Sequence, residues 1–249
     1  MDSSSYKDLT TNANKLHNRI KLNSLSQKFD FNSWLFGLMP KIQNDHKILD
    51  IGCGNGTQTN WFLTRIEPKG KVLAIDASAE SLNKIPSSNK LAKYVLDFDK
   101  LSELEAILEG EKFDLINSTY SLYYSQDPIK LITLLRDKYL NENGKFVISG
   151  PTWEHGLFSL ITDKFGDANN VRKTIDFMDS VLTPYLKSLL GPYELHYLNN
   201  ISKFESVSEA AAFIQSTTYG SEINPEQIKE FLESLSSLNF RKTSMVAIF

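Results

Sequence analysis

The chain has 249 residues, 41% of them hydrophobic and 23% charged, which suits one α/β domain with a sizeable core and a small appended layer. A net charge of −3 offers no general attraction for a phosphate backbone or an anionic bilayer, so nucleic acid and membrane are disfavoured partners. Cys53 is the only cysteine, which excludes an internal disulfide; no apolar signal core opens the chain and no run of about eighteen apolar residues occurs, so a cytoplasmic setting is expected.

From Ser4 to about Met39 the pattern is helical and amphipathic, with Leu16, Ile20, Leu22 and Leu25 followed by the aromatic group Phe29, Phe31, Trp34 and Phe36. Ile48 to Ile51 reads as the first strand, and Gln58 to Ile66 as a helix closed by Pro68-Lys69-Gly70. Val72 to Ile75, ending in Asp76, is the second strand, with a helix from Ala79 to Ile85. Tyr94 to Asp97 reads as the third strand, Leu101 to Leu108 as a helix and Phe113 to Asn117 as the fourth strand. A helix from Ile129 to Tyr139 precedes a fifth strand from Lys145 to Ser149, entered by an Asn143-Gly144 turn. Strands alternating with helices at these lengths predict a parallel sheet covered on both faces. Beyond Ser149 the rhythm changes to two helices over 156–190, a strand Tyr193 to Ser202, helices Ser206 to Ser216 and Pro225 to Ser236, and a last strand Thr243 to Phe249.

The densest signal is Lys47-Ile48-Leu49-Asp50-Ile51-Gly52-Cys53-Gly54-Asn55-Gly56-Thr57, an apolar run, an acid and three alternating glycines. Such glycines let the backbone turn tightly at a strand tip and let a ligand approach closely. A dinucleotide turn of the G-x-G-x-x-G kind needs its third glycine at position 57, where Thr57 stands. Asp50 would repel a pyrophosphate and could accept from an ammonium group.

Asp50-x-Gly52-x-Gly54-x-Gly56 resembles motif I of the class I S-adenosylmethionine-dependent methyltransferases. The resemblance implies a doubly wound, seven-stranded, mostly parallel Rossmann-like sheet whose last strand, Thr243 to Phe249, inserts antiparallel beside the fifth. It further implies one domain over 1–249, with a helical lid over 1–45, a cofactor-binding core over 46–150 and an acceptor-binding region over 151–249. S-adenosyl-L-methionine is the implied cofactor, with Asp50, Gly52, Gly54, Asn55 and Gly56 around its methionine part and ribose. Asp76, followed by the small Ala77, stands at the second strand's tip, where an acid accepts from ribose hydroxyls; taken alone it reads equally as a turn or cap residue. Asp97 resembles the acceptor for the adenine amino group, with Phe98 as the neighbouring apolar surface, and Asp99 competes for that role. Ser118, after the fourth strand, resembles a contact to the methionine portion, whereas Ser118 and Thr119 replace the two prolines of the Asn-Pro-Pro-aromatic signature of amide and base methylation.

A second resemblance, to a small-molecule branch with an N-terminal lid, rests on Asn12, Lys15, Arg19, Leu22 and Trp34 and on Trp153-Glu154-His155-Gly156-Leu157. Arg19 either meets the cofactor carboxylate through paired donors or is a solvated helix residue. Methyl transfer from a sulfonium is an in-line displacement in which the protein mainly aligns the acceptor, about 3 Å away, and excludes water. Where a base is used, the candidates are His155, then Glu154 and Tyr123; His155 reads equally as a structural histidine. No His, Cys or carboxylate spacing suggests a metal. The expected partner is a small-molecule acceptor methylated on oxygen or nitrogen, the protein being a monomer or homodimer. A protein side chain as acceptor, or a non-catalytic cofactor-binding protein, are the alternatives.

Overall fold

The computed structural model describes residues 27–167 and 171–249. Strands β1 (Lys47–Ile51), β2 (Lys71–Asp76), β3 (Leu91–Val95), β4 (Phe113–Thr119), β5 (Leu140–His155), β6 (Glu194–Lys203) and β7 (Asn239–Ile248) form one sheet in the order β3-β2-β1-β4-β5-β7-β6. Neighbours from β3 to β5 pair in parallel, while β7 runs antiparallel to both β5 and β6. The order reverses between β1 and β4, so the loops after those strands diverge and open a crevice at their C-terminal ends. This is the Rossmann-like methyltransferase architecture implied by the glycine turn.

Alternation along the strands divides the core. Leu49, Ile116, Phe146, Ile148, Met245 and Ala247 face one side, under α4 (Leu101–Leu108), α5 (Pro128–Leu134) and the run 177–189. Ile48, Leu115, Val147, Val246 and Ile248 face the other, against Leu35 of α1 (Phe31–Leu38) and Phe62 of α2 (Thr57–Leu63). A separate cluster, including Leu157, Ile161, Phe213, Ile214, Ile228 and Leu232, joins α6 (Gly156–Phe165) to α9 (Val207–Ser216) and α10 (Pro225–Glu233) beside Phe204 and Phe240. Thr174 and Ile175 of α7 (Arg172–Ile175) and Phe213 of α9 wall the crevice on one side, while α8 (Thr183–Ser188) packs Leu186 into the first core. The helix α3 (Ala79–Asn83) follows β2.

Three local readings change. The third strand lies at Leu91–Val95, not at 94–97: its lysines conceal it because Lys90 and Lys93 turn their Nζ atoms onto the terminal carbonyls of α2 and α3, at Leu63, Ile66, Leu82 and Ile85. Asn143-Gly144 is not a turn ahead of the fifth strand but part of an irregularity inside β5, where Phe113 pairs with Leu140 and Leu115 already with Lys145. A Cβ on Gly144 would lie 2.9 Å from the Phe113 carbonyl oxygen, so the bulge needs glycine there. The second helix expected over 156–190 is built from α7, a π-helical stretch Phe177–Leu182 and α8.

The segment before α1 is a strap. Lys28 N–H donates to the Ile201 carbonyl, and the buried Asn200 accepts from Phe29 N–H while donating to Gln27 Oε1 and the Phe29 carbonyl. Asp30 then caps α1 through Ser33 N–H, and Asn32 accepts from Gln58 of α2. The chain is thereby fastened to the β6 edge at one end and to the helix behind the glycine turn at the other. Of the expected lid, Arg19 and everything through Ser26 lie outside the described residues.

Candidate functional site

A cavity of about 850 Å³ fills the crevice, within the range of small-molecule sites. Its floor is the glycine turn. Gly52, Gly54 and Gly56 all hold left-handed φ, at 68°, 55° and 80°, a region closed to most side chains, which is the physical reason for the alternating pattern. Gly52 must also be bare because Ser121 crosses directly above it.

Asp76 joins β2 to this turn. Its Oδ2 accepts from Gly54 N–H and its Oδ1 from Ser78 N–H, each at 2.8 Å. Each oxygen keeps a further lone pair, and the residue lines the cavity beside Ala77. Burial raises its pKa, opposed by the two backbone bonds. Asp97 and Phe98 line the same end, and Asp97 Oδ1 accepts from Asp99 N–H. Asp99 is occupied otherwise, accepting from the Ser125 hydroxyl at 2.5 Å and from Gln126 N–H at 3.0 Å.

Four expected contacts do not reach the cavity. Asp50 is buried behind the turn, where Oδ2 accepts from Thr59 at 2.5 Å and Oδ1 from Asn117 at 2.8 Å, so it braces β1 against α2 and β4. Desolvation raises its pKa to about 6. Gly56 caps α2 under Ile85. Ser118 is fully buried and bonded to the Ser121 hydroxyl at 2.6 Å; Thr119, Tyr120 and Ser121 line the cavity in its place. Glu154 binds Arg241 and Thr243 outside the cavity wall. Gly52, Gly54, Asn55, Asp76, Ala77, Asp97, Phe98, Tyr123 and His155 do come together around one space. The Cys53 thiol also borders it, but burial and the charges of Asp50 and Asp76 push its pKa up, which makes it unreactive.

At the far end stand Tyr120, Tyr123, His155, Thr218, Tyr219 and Lys242. Tyr120 adopts φ 55°, rare for a bulky residue, and its hydroxyl is 2.6 Å from Ser244 Oγ. Burial pushes that phenol up to about 12. His155 is the N-cap of α6: its Nδ1 accepts from Phe158 N–H at 3.3 Å. The ring proton therefore sits on Nε2. Burial, then the Lys242 charge, depress its pKa to about 3, so at neutral pH it is a neutral donor and a weak base. Sequence reasoning missed Lys242, which pairs laterally with His155 and is 7% exposed. Its sequence context, Arg241-Lys242-Thr243-Ser244, reads as a polar approach to a strand.

Comparison with known proteins agrees with this architecture. A tRNA U34 carboxymethyltransferase of Campylobacter lari is 23% identical over 221 residues, 87% of this chain and 72% of that protein. Two other curated relatives, from Streptomyces fradiae and Schizosaccharomyces pombe, match at 26% over 107 residues, so the match spans only 30% and 38% of their lengths. A solved structure of Haemonchus contortus phosphoethanolamine N-methyltransferase 2 with phosphomonomethylethanolamine and S-adenosylhomocysteine shares the fold at TM-score 0.56 and 14% identity, covering 98% of this chain and 58% of that one. Residues 42–200, more than half of the chain, match the family model described as a methyltransferase domain, and the chain belongs to that family.

Proposed function

We propose that this protein transfers a methyl group from S-adenosyl-L-methionine to an oxygen or nitrogen of a small-molecule acceptor. The observation that carries the reading is the joint of the left-handed glycine turn and Asp76, through Gly54 N–H, at the floor of a cavity that continues into a second, aromatic end. The residues suit the donor. The free lone pairs of Asp76 accept from the ribose hydroxyls, Asp97 takes the adenine amino group with Phe98 beside it, and Gly52, Asn55 and Ser121 border the methionine part. In this assignment residues 46–150 bind the donor, and 151–249, together with Tyr120 and Tyr123, bind the acceptor.

The donor supplies an electrophilic methyl on a good leaving group. The chain orients and encloses: Tyr120 and Tyr123 hold the acceptor against the donor, and the strap at 27–32 excludes water. His155 does not act as the base, because its Nδ1 is committed to the α6 cap. The Campylobacter relative's name makes RNA the second reading; along the cavity Asp30, Asp76, Asp97, Asp99 and Glu103 outnumber Lys100 and Lys242 and disfavour a polyanion, and RNA ranks behind a small molecule.

Isothermal calorimetry with S-adenosylhomocysteine, and NADH as control, tests the donor assignment. Binding of the first alone is expected; binding of NADH alone, or of neither, would overturn it. Turnover against a panel of alcohols, amines, a peptide and tRNA then separates an enzyme from a cofactor-binding protein without activity.

A further inference from the structure

We propose that His155 recognises the acceptor: its Nε2–H donates to an uncharged carbonyl or hydroxyl oxygen that the acceptor carries apart from the atom that is methylated. The inference rests on the reading of donor and acceptor ends given above and adds a specificity-determining residue with the class of group it takes.

His155 ends β5 and is the N-cap of α6, and Phe158 N–H donates to its Nδ1 at 3.3 Å. That bond fixes the orientation of the ring and leaves the proton on Nε2, on the edge farther from the backbone. The rings of Phe158 and Tyr219 stand across the imidazole at 81° and 74° and hold it from the sides. The residue is only 6% exposed, yet it borders the cavity. Among the described residues nothing accepts from Nε2, and this nitrogen is not sealed from solvent, so its N–H opens into the cavity. A donor held in place this way is costly to keep unpaired, and a ligand oxygen would satisfy it.

The surroundings select the partner. Val171 and Ile175 line the cavity and pack with Phe158 and Tyr219 in one apolar cluster beside the ring. Burial, then the charge of Lys242, depress the His155 pKa to about 3, so the ring stays a neutral donor at any working pH. Lys242 is engaged in an interaction of its own and is no part of this contact. A single neutral N–H among apolar side chains offsets the desolvation of a carbonyl or hydroxyl oxygen, but not that of an ion. Donation to the attacking atom would draw density from the lone pair that methyl transfer needs. The oxygen held by His155 is therefore a recognition group, and the nucleophile lies on another part of the acceptor, toward Tyr120, Tyr123 and the donor.

The test uses the full chain with isotope-labelled histidine, saturated with S-adenosylhomocysteine, and probes of one shape: acetophenone with a carbonyl, 1-phenylethanol with a hydroxyl, and ethylbenzene with neither. Nitrogen NMR should show His155 uncharged with its proton on Nε2 from about pH 5 to about pH 8. Acetophenone or 1-phenylethanol is expected to bind about threefold or more tighter than ethylbenzene in calorimetry and to move the Nε2 resonance, as one neutral hydrogen bond requires. His155→Ser, whose hydroxyl can still cap α6 but is too short to replace Nε2, should abolish that preference in a chain that still binds S-adenosylhomocysteine. A proton on Nδ1, equal binding of all the probes, no binding of the oxygen-bearing ones, an unmoved Nε2 resonance, or a preference that survives in H155S would overturn the proposal. The wild-type Nε2 resonance decides the matter if H155S does not fold, and His155→Thr serves as the second variant. Failure of the wild type to bind S-adenosylhomocysteine would be seen before any probe is added and would refute the donor assignment itself.

Discussion

Gly52→Ala offers a quantitative test of the glycine turn. An added Cβ would lie 2.2 Å from Ser121 Oγ and 2.3 Å from Ser121 Cβ, far inside van der Waals contact. Ser121 has little freedom to retreat, since its hydroxyl donates to the Ile51 carbonyl at 3.1 Å and sits 2.6 Å from Ser118 Oγ. The left-handed φ of 68° adds a second penalty independent of space. Left-handed backbone costs an L-residue about 1–2 kcal/mol and overpacking about 1–3 kcal/mol, so a loss of about 2–5 kcal/mol is expected in urea denaturation. Homocysteine-nucleoside affinity should fall in the same variant, because the displaced Ser121 borders the donor end. G52A combined with Ser121→Gly removes the overlap but not the backbone strain, so the double-mutant cycle should show coupling of about 1–3 kcal/mol. A G52A protein within about 0.5 kcal/mol of wild type would refute the reasoning, since that is the range of surface substitutions.

Asp76→Ala should weaken S-adenosylhomocysteine binding by about 1–3 kcal/mol in calorimetry, through loss of the ribose acceptor and of the anchor for Gly54 N–H; unchanged affinity would remove Asp76 from the site. Asp50 and His155 set opposing pH dependences of stability. The Asp50 pKa is raised to about 6, so its contribution is full near pH 4 and is lost as pH rises through 6; the His155 pKa is lowered to about 3, so its contribution is full above about 6.5 and is lost as pH falls toward 3. Asp50→Asn, whose amide can donate to Thr59 Oγ1 while its oxygen accepts from Asn117, removes the first slope alone. Between pH 4 and 6 the stability of D50N should rise with pH more steeply than wild type, by up to about 1.4 kcal/mol per pH unit, and parallel urea-midpoint curves would contradict this. Asn200→Ala removes the bonds to Gln27 and Phe29 that hold the strap, and should speed amide hydrogen exchange at Phe29 while β1 stays protected; equal exchange would show that the strap is held elsewhere.

The parallel core was legible because its central strands are buried on both faces and so read as near-continuous apolar runs punctuated by glycines. Ile48, Leu115, Val147 and Val246 on one face, with their neighbours on the other, are what a sheet covered on both sides demands of a sequence. Legibility failed where a side chain works against its type. Lys90 and Lys93 read as loop residues because their role, capping two helix ends from an edge strand, depends on what lies across space. Ser118 and Thr119 are adjacent in the sequence, and only the geometry of the strand end decides which of them the cavity meets. His155 carried a catalytic expectation from residue type, whereas its ring nitrogen replaces the usual serine or aspartate at a helix start. Lys242 could not be singled out, since burial of a lysine in a terminal strand is a property of its neighbours in β5 and β6.

The central claim is that one cavity holds the donor at the glycine turn and the acceptor at the aromatic, lysine-bearing end. A crystal structure of the protein with S-adenosylhomocysteine tests it most directly. The account predicts ribose hydroxyls on Asp76, the adenine beside Asp97 and Phe98, and the sulfur open toward Tyr120, Tyr123 and Lys242. A nucleoside bound elsewhere, or a sulfur turned away from those three residues, would contradict it.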